Sequence, residues 1–211
     1  MIKKSVVVFY IFAGIVFLYS CNGNQQKAAN EVTEIAFNVD TSLLKSDPVL
    51  LEDLDFSMRV PRNWKPVDNK IKERLTSEIL EGNYSNARLI DIMGNLSDNS
   101  VLILMDVSKV NQDYFADLRL NHQEIFCSDS LWKNSRYESF YHNGLSIDQY
   151  FLQNENMVQF RLICKPATEE SGKSMVDVYY ILSRDRLSEN IKFIESSIGT
   201  FTCITNKNQN Q

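Results

Sequence analysis

Six basic side chains fall between positions 59 and 74: Arg59, Arg62, Lys65, Lys70, Lys72 and Arg74, set against Asp68 and Glu73. The whole chain carries a formal charge of −5, so this stretch is a local reversal of sign. With Trp64 among them, the cations could form a docking patch for lipid headgroups or an acidic partner, the indole serving as an aromatic anchor. The same residues could instead be the solvated ends of a strand and a helix, with Trp64 plugging the core. Other chemistry finds few candidates. A Ser-His-Asp hydrolase needs a positioned histidine, and only His122 and His142 exist. His142 adjoins Asn143-Gly144, where a solvated turn side chain is expected. His122 falls between Leu118 and Phe126 on a helical pattern, where a packed, hydrogen-bonded ring is expected. There is no GxSxG elbow, no glycine-rich phosphate cradle and no Cys/His spacing suited to a metal. No catalytic residue and no cofactor are expected, although a pair of carboxylates acting as acid and base stays open as an alternative.

The first cysteine is a different matter. Lys3 and Lys4 precede an uncharged run from Ser5 to Ser20. As a helix that run would reach roughly 24 Å, short for a bilayer span. A basic start, an apolar stretch and a small residue before a cut form a secretory signal pattern. Leu18, Ser20 and Cys21 resemble the lipobox of bacterial lipoproteins: Leu at minus three, a small residue at minus one, then Cys. The resemblance implies that residues 1–20 are removed and that Cys21 carries lipid, palmitate among its acyl chains. Each buried CH₂ contributes about 0.8 kcal/mol, and two chains give stable anchoring. An uncleaved membrane anchor or a plain secreted chain are the alternatives. Asn22 is not Asp and no acidic run follows, so the expected location is the bacterial cell envelope, on the periplasmic face of the outer membrane. Cys127, Cys164 and Cys203 remain, an odd number that allows at most one internal pair. Cys164, in phase with Val158, Phe160 and Leu162, is expected to be a buried inert thiol.

The elements that position these residues follow from hydrophobic periodicity. Residues 21–47 are mostly polar and read as a tether, with Ile35–Phe37 and Leu43–Leu44 as local docking points. Phe56, Met58 and Val60 alternate with Ser57 and Arg59, a half-buried strand that Pro61 ends. Val67, Ile71, Leu75 and Ile79 form the apolar stripe of a helix closed by Gly82. Two strands, about 87–93 and 101–107, read as a hairpin. A helix over about 111–126 follows, with Tyr114, Phe115, Leu118, His122, Ile125 and Phe126 on one side. Three strands then meander through turns at Asn143-Gly144 and 154–156. Val176, Val178, Tyr180 and Leu182 mark another strand, and Ser188 is the expected N-cap of a last helix carrying Ile191, Ile194 and Ile198. The order predicts an α+β domain, a largely antiparallel sheet with helices packed on it.

A strand ending in Pro and then Trp, here Phe56, Met58, Val60, Pro61 and Trp64, followed by a helix, a meander and the closing "IKFIESSIGTF", resembles the PsbP-like (DcrB-like) family. The resemblance covers about residues 48–203, with 204–211 as a frayed tail. It implies a binding or assembly module and carries over no catalytic residue. The expected function is therefore a membrane-tethered, non-catalytic binding module with an unknown protein partner. The alternative is a carrier of an apolar ligand, lined by Tyr137, Phe140, Tyr150, Phe151, Tyr179 and Tyr180. The acidic balance argues against general nucleic-acid binding. If Cys21 holds the lipid, Cys21→Ala moves the protein from the membrane pellet to the soluble fraction on cell fractionation; retention in the pellet would count against lipidation.

Overall fold

The computed structural model describes residues 33–79, 86–95, 97–127, 132–167 and 174–204. The stretch expected to be a signal, Cys21, Gly82, the tail from residue 205, and the side chains of Leu75, Ile79, Ile125, Phe126 and Cys127 lie outside the described residues. The strands, in chain order, are β1 (Thr33–Glu34), β2 (Val49–Leu51), β3 (Phe56–Met58), β4 (Lys65–Pro66), β5 (Arg88–Asn95), β6 (Ser100–Asp106), β7 (Asn134–His142), β8 (Leu145–Gln153), β9 (Met157–Pro166), β10 (Val176–Ser183) and β11 (Thr202–Cys203). The helices are α1 (Asn69–Ile79), α2 (Gln112–Cys127) and α3 (Leu187–Ile198). An eight-stranded sheet runs β1-β7-β8-β9-β10-β6-β5-β4, and a second sheet runs β11-β3-β2. Every pairing is antiparallel except β1 with β7. The expected α+β class is the one observed.

Turn chemistry sets the register of the meander. Asn143 (φ 47°) and Gly144 (φ 78°) both occupy the left-handed region, the geometry of a two-residue hairpin loop. At the next turn the Asn154 carboxamide oxygen accepts from the backbone N–H groups of Asn156 (2.9 Å) and Met157 (2.7 Å).

Both faces of the large sheet carry packed elements. One packs against β3 and α3 through Phe56, Met58, Leu162, Cys164, Val178, Tyr180, Ile194 and Ile198. The other packs against α2 through Ile103, Met105, Tyr150, Ile163, Phe115 and Leu118. Trp64 is 1% exposed and stands edge-on to Tyr180, ring centroids 6.0 Å apart. The Ser197 hydroxyl donates to the Arg59 carbonyl (2.6 Å), which leaves its lone pairs to accept from the Tyr180 hydroxyl (2.8 Å).

Four local expectations are corrected. Ser57 is buried, as are Phe56 and Met58 beside it, so both faces of β3 are covered and not one. Ile71 is 40% exposed and lies off the packed side of α1, while Lys72 Nζ donates to the Ile90 carbonyl and Asp91 at 3.2 Å each. Ser188 does not cap α3; a 3₁₀ turn (Arg184–Arg186) leads into the helix, with Arg186 at the N-cap position. His142 is not solvated but buried, with Nδ1 2.8 Å from the Ile35 carbonyl oxygen and Nε2 3.1 Å from that of Gly199.

That histidine fastens a strap. From Thr33 to Lys45, part of the stretch read as tether, the chain lies against the body. The Ile35 N–H donates to the Tyr141 carbonyl (2.9 Å), the Asp40 N–H to the Ser196 hydroxyl (3.2 Å) and the Lys45 N–H to the Val60 carbonyl (2.9 Å). The Phe37 ring meets His142 edge-on at 4.9 Å, and Leu44 is buried. The strap passes so close to Gly199 that a Cβ there would sit 2.6 Å from Val39 Cγ2 and 2.8 Å from Phe37 Cβ. Both atoms belong to packed side chains, one of them the root of its side chain, so relief requires the strap to shift. Gly199→Ala is expected to cost about 1–3 kcal/mol by overpacking, read as a lowered denaturation midpoint, with faster amide exchange at Ile35 and Asp40 while the β8 and β9 amides stay protected.

Candidate functional site

The α2 side of the sheet is not uniformly apolar. Alternation along β7 to β10 sends Tyr137, Asp148, Tyr150, Arg161, Asp177 and Tyr179 toward the helix. Register aligns four of them into one cross-strand row: Tyr137 opposite Tyr150, Tyr150 opposite Arg161, and Arg161 opposite Tyr179. A second row sets Asp148 opposite Ile163 and Ile163 opposite Asp177. Side chains of opposite pairs lie within reach of each other, so the rows form a polar chamber roofed by Tyr114, Phe115, Leu118, Arg119 and His122 of α2.

The chamber is internally bonded. The Tyr137 hydroxyl donates to Asp148 Oδ1 (2.8 Å), and Arg119 lies 3.6 Å from Asp148 Oδ2. His122 packs on Tyr137, ring centroids 5.4 Å apart, which is the packed role expected of it. The Arg161 Nε donates to Asp177 Oδ2 (2.9 Å), with side-chain exposures of 11% and 0%, and its guanidinium lies 5.8 Å from the centre of the Tyr179 ring. Burial pushes the Asp177 carboxyl up, and the charge and hydrogen bond of Arg161 pull it part of the way back. Burial also raises the Tyr179 phenol to about 12. Tyr137 and Tyr150 are pushed higher still, by burial first and then by the Asp148 charge. Phenols raised this far stay protonated at neutral pH and serve as hydrogen-bond donors. The Tyr150 hydroxyl, though buried, meets no hydrogen-bond partner among the described residues.

The basic stretch is dispersed by the fold. Arg62, Lys65, Lys70 and Arg74 are exposed around β4 and α1. Lys72 is committed to Asp91, and Arg59 lies half-buried with its backbone N–H donating to the Thr200 hydroxyl (2.8 Å). Trp64 lies in the core and cannot be an exposed anchor for the patch. The six aromatics considered for an apolar ligand do not share a cavity. Phe140 and Tyr180 face the α3 side, whereas Tyr137, Tyr150 and Tyr179 face α2. Cys164 is a free, buried thiol whose ionisation is pushed well up by burial, and Cys203 is buried on the same side of the sheet. Among the described residues no group of three His, Cys, Asp or Glu could hold a metal ion, and no helix is long and apolar enough to cross a membrane.

No protein-family model and no curated protein matches the chain. In architecture it is similar to the Ran-binding protein Mog1p of Saccharomyces cerevisiae, at 8% identity and a TM-score of 0.41 over 76% of this chain and 96% of that one. It is also similar to a cyanobacterial PsbP (CyanoP) of Synechocystis, at 13% identity and a TM-score of 0.41 over 88% of this chain and 98% of that one. Likeness at this level carries over no partner and no site residue.

The Arg161–Asp177 pair gives a sharp test of the chamber. Removing either partner takes from a buried charge its 2.9 Å hydrogen-bonded counterion, so Arg161→Met and Asp177→Leu are each expected to be destabilising, by up to about 3–5 kcal/mol. The double variant, which leaves no stranded charge, should lose clearly less than the two single losses together, as read by denaturation in a double-mutant cycle.

Proposed function

We propose that the protein is a lipid-anchored module of the bacterial cell envelope, on the periplasmic face of the outer membrane, that binds another protein and has no reaction of its own. The Leu18-Tyr19-Ser20-Cys21 segment supports the anchor, with lipid on Cys21. One structural observation carries the binding role. On the face that α3 and the small sheet cover only in part, Arg136, Phe151 and Phe160 stand in one cross-strand row. The two phenylalanines are half-buried and meet edge-on, ring centroids 5.2 Å apart. Together with Asn134, Glu138 and Gln149 they line a shallow depression of about 250 Å³. Aromatic rings and an arginine framed by polar side chains match the composition of interface hot spots. The exposed cations Arg62, Lys65 and Lys70 offer a second contact, to anionic headgroups or an acidic surface.

The carrier reading has less support, since its aromatics divide between the two faces of the sheet. A photo-crosslinking residue placed at Gln149 in cells should capture a discrete partner, and Phe151→Asp should abolish that product. The same probe at the exposed Ser77 of α1 should not give it. Identical products from both positions, or none from Gln149, would reject the open face as the binding surface.

A further inference from the structure

Near the N-terminal end of α2 the polar chamber reaches solvent through a cleft of about 230 Å³. Phe115 and Arg119, one turn apart on the helix, form its roof, with Asp113 beside them. Asp148 of β8 and Ile163 and Lys165 of β9 form its floor, and Met175 closes the end. The apolar part is formed by the edges of side chains otherwise packed in the core: Phe115, Ile163 and Met175 are 7%, 3% and 5% exposed. The charged part carries both signs. Asp148 is already answered by Tyr137 and Arg119. Arg119 keeps donors to spare, because a guanidinium has five N–H groups and Asp148 faces it at only one contact of 3.6 Å. Asp113 and Lys165 are exposed and have no ion-pair partner among the described residues.

We propose that this cleft binds a free amino acid with a large apolar side chain. Its carboxylate meets Arg119 and Lys165, its ammonium group meets Asp113, and its side chain lies on Phe115, Ile163 and Met175. A ligand of zero net charge that carries both signs matches a lining with two cations and two anions. A simple carboxylate would leave Asp113 facing like charge, and a simple amine would leave Lys165 so placed. The volume corresponds to roughly eight waters at about 30 Å³ each, room for leucine, methionine or phenylalanine but not for a lipid chain. The site is independent of the anchor and of the open sheet face, so neither of those readings stands or falls with it.

The test is calorimetric titration of the purified full chain in detergent with leucine, methionine and phenylalanine. Glycine, 4-methylpentanoate and isoamylamine each remove one recognised feature. Saturable binding of at least one of the three large amino acids is expected, with Kd between about 1 μM and 1 mM for a ligand of this size, and at least tenfold weaker binding of each control. Asp113→Asn and Lys165→Gln change exposed positions, so both should fold, as checked by circular dichroism, and each should weaken binding about tenfold or more. The proposal is overturned by absence of saturation at millimolar concentration, by controls that bind as well as the amino acids, or by affinity that neither substitution alters.

Discussion

Covering a sheet on both faces removes the usual outlet for polar side chains. In β8, β9 and β10 the strand period of two sends one set of side chains toward α3 and the other toward α2. On the α3 side the set is almost wholly apolar, with the Tyr180 hydroxyl satisfied by Ser197. On the α2 side the same alternation buries Asp148, Arg161 and Asp177, and charges taken out of water must find partners there. The pairings Arg161–Asp177 and Tyr137–Asp148–Arg119 follow from that requirement. So does the location of the cleft, which opens where the chamber's charged edge meets the first turns of the helix. Register is thereby over-determined: slipping β9 by one residue would turn Arg161 into the apolar face and Leu162 and Cys164 toward the carboxylates.

Much of the architecture was legible in the primary structure because it rests on local signals. The Asn143-Gly144 pair needs only its own backbone freedom to define a hairpin, and Val176, Val178, Tyr180 and Leu182 needed only their period. Two of the misreadings share one cause, contact with chain far away in sequence, whereas the N-cap of α3 was displaced by the local 3₁₀ turn before it. Ser57 looked solvent-facing by its alternation with Phe56 and Met58, but all three positions of β3 are buried, and the small sheet that contains them draws β11 from near the other end of the chain. His142 looked like a turn residue, but its ring meets the Ile35 carbonyl across 107 positions. For Trp64, set among cations, both an exposed anchor and a core plug were open from the sequence, and the core placement is the one observed.

The chamber left a trace that the sequence reading did not follow. Within β8 to β10 the positions alternating with the buried apolar set include Asp148, Tyr150, Arg161, Asp177 and Tyr179. Polar residues in that phase suggest a solvated face when a strand is read alone. Only the placement of α2 over them turns that face into an interior, and no local pattern in these strands records where the helix packs.

The strap has a mechanical consequence for reach. If Cys21 carries lipid, as proposed, a leash of only twelve positions separates the anchor from Thr33, where β1 pairs with β7. Twelve residues at about 3.3–3.6 Å each allow a stand-off of roughly 40 Å at most. Were the strap to peel away as far as Val49, the same leash would lengthen to about 95 Å. If Cys21 carries the proposed lipid, the contacts at Gly199 and His142 set how far from the bilayer the globular body can reach.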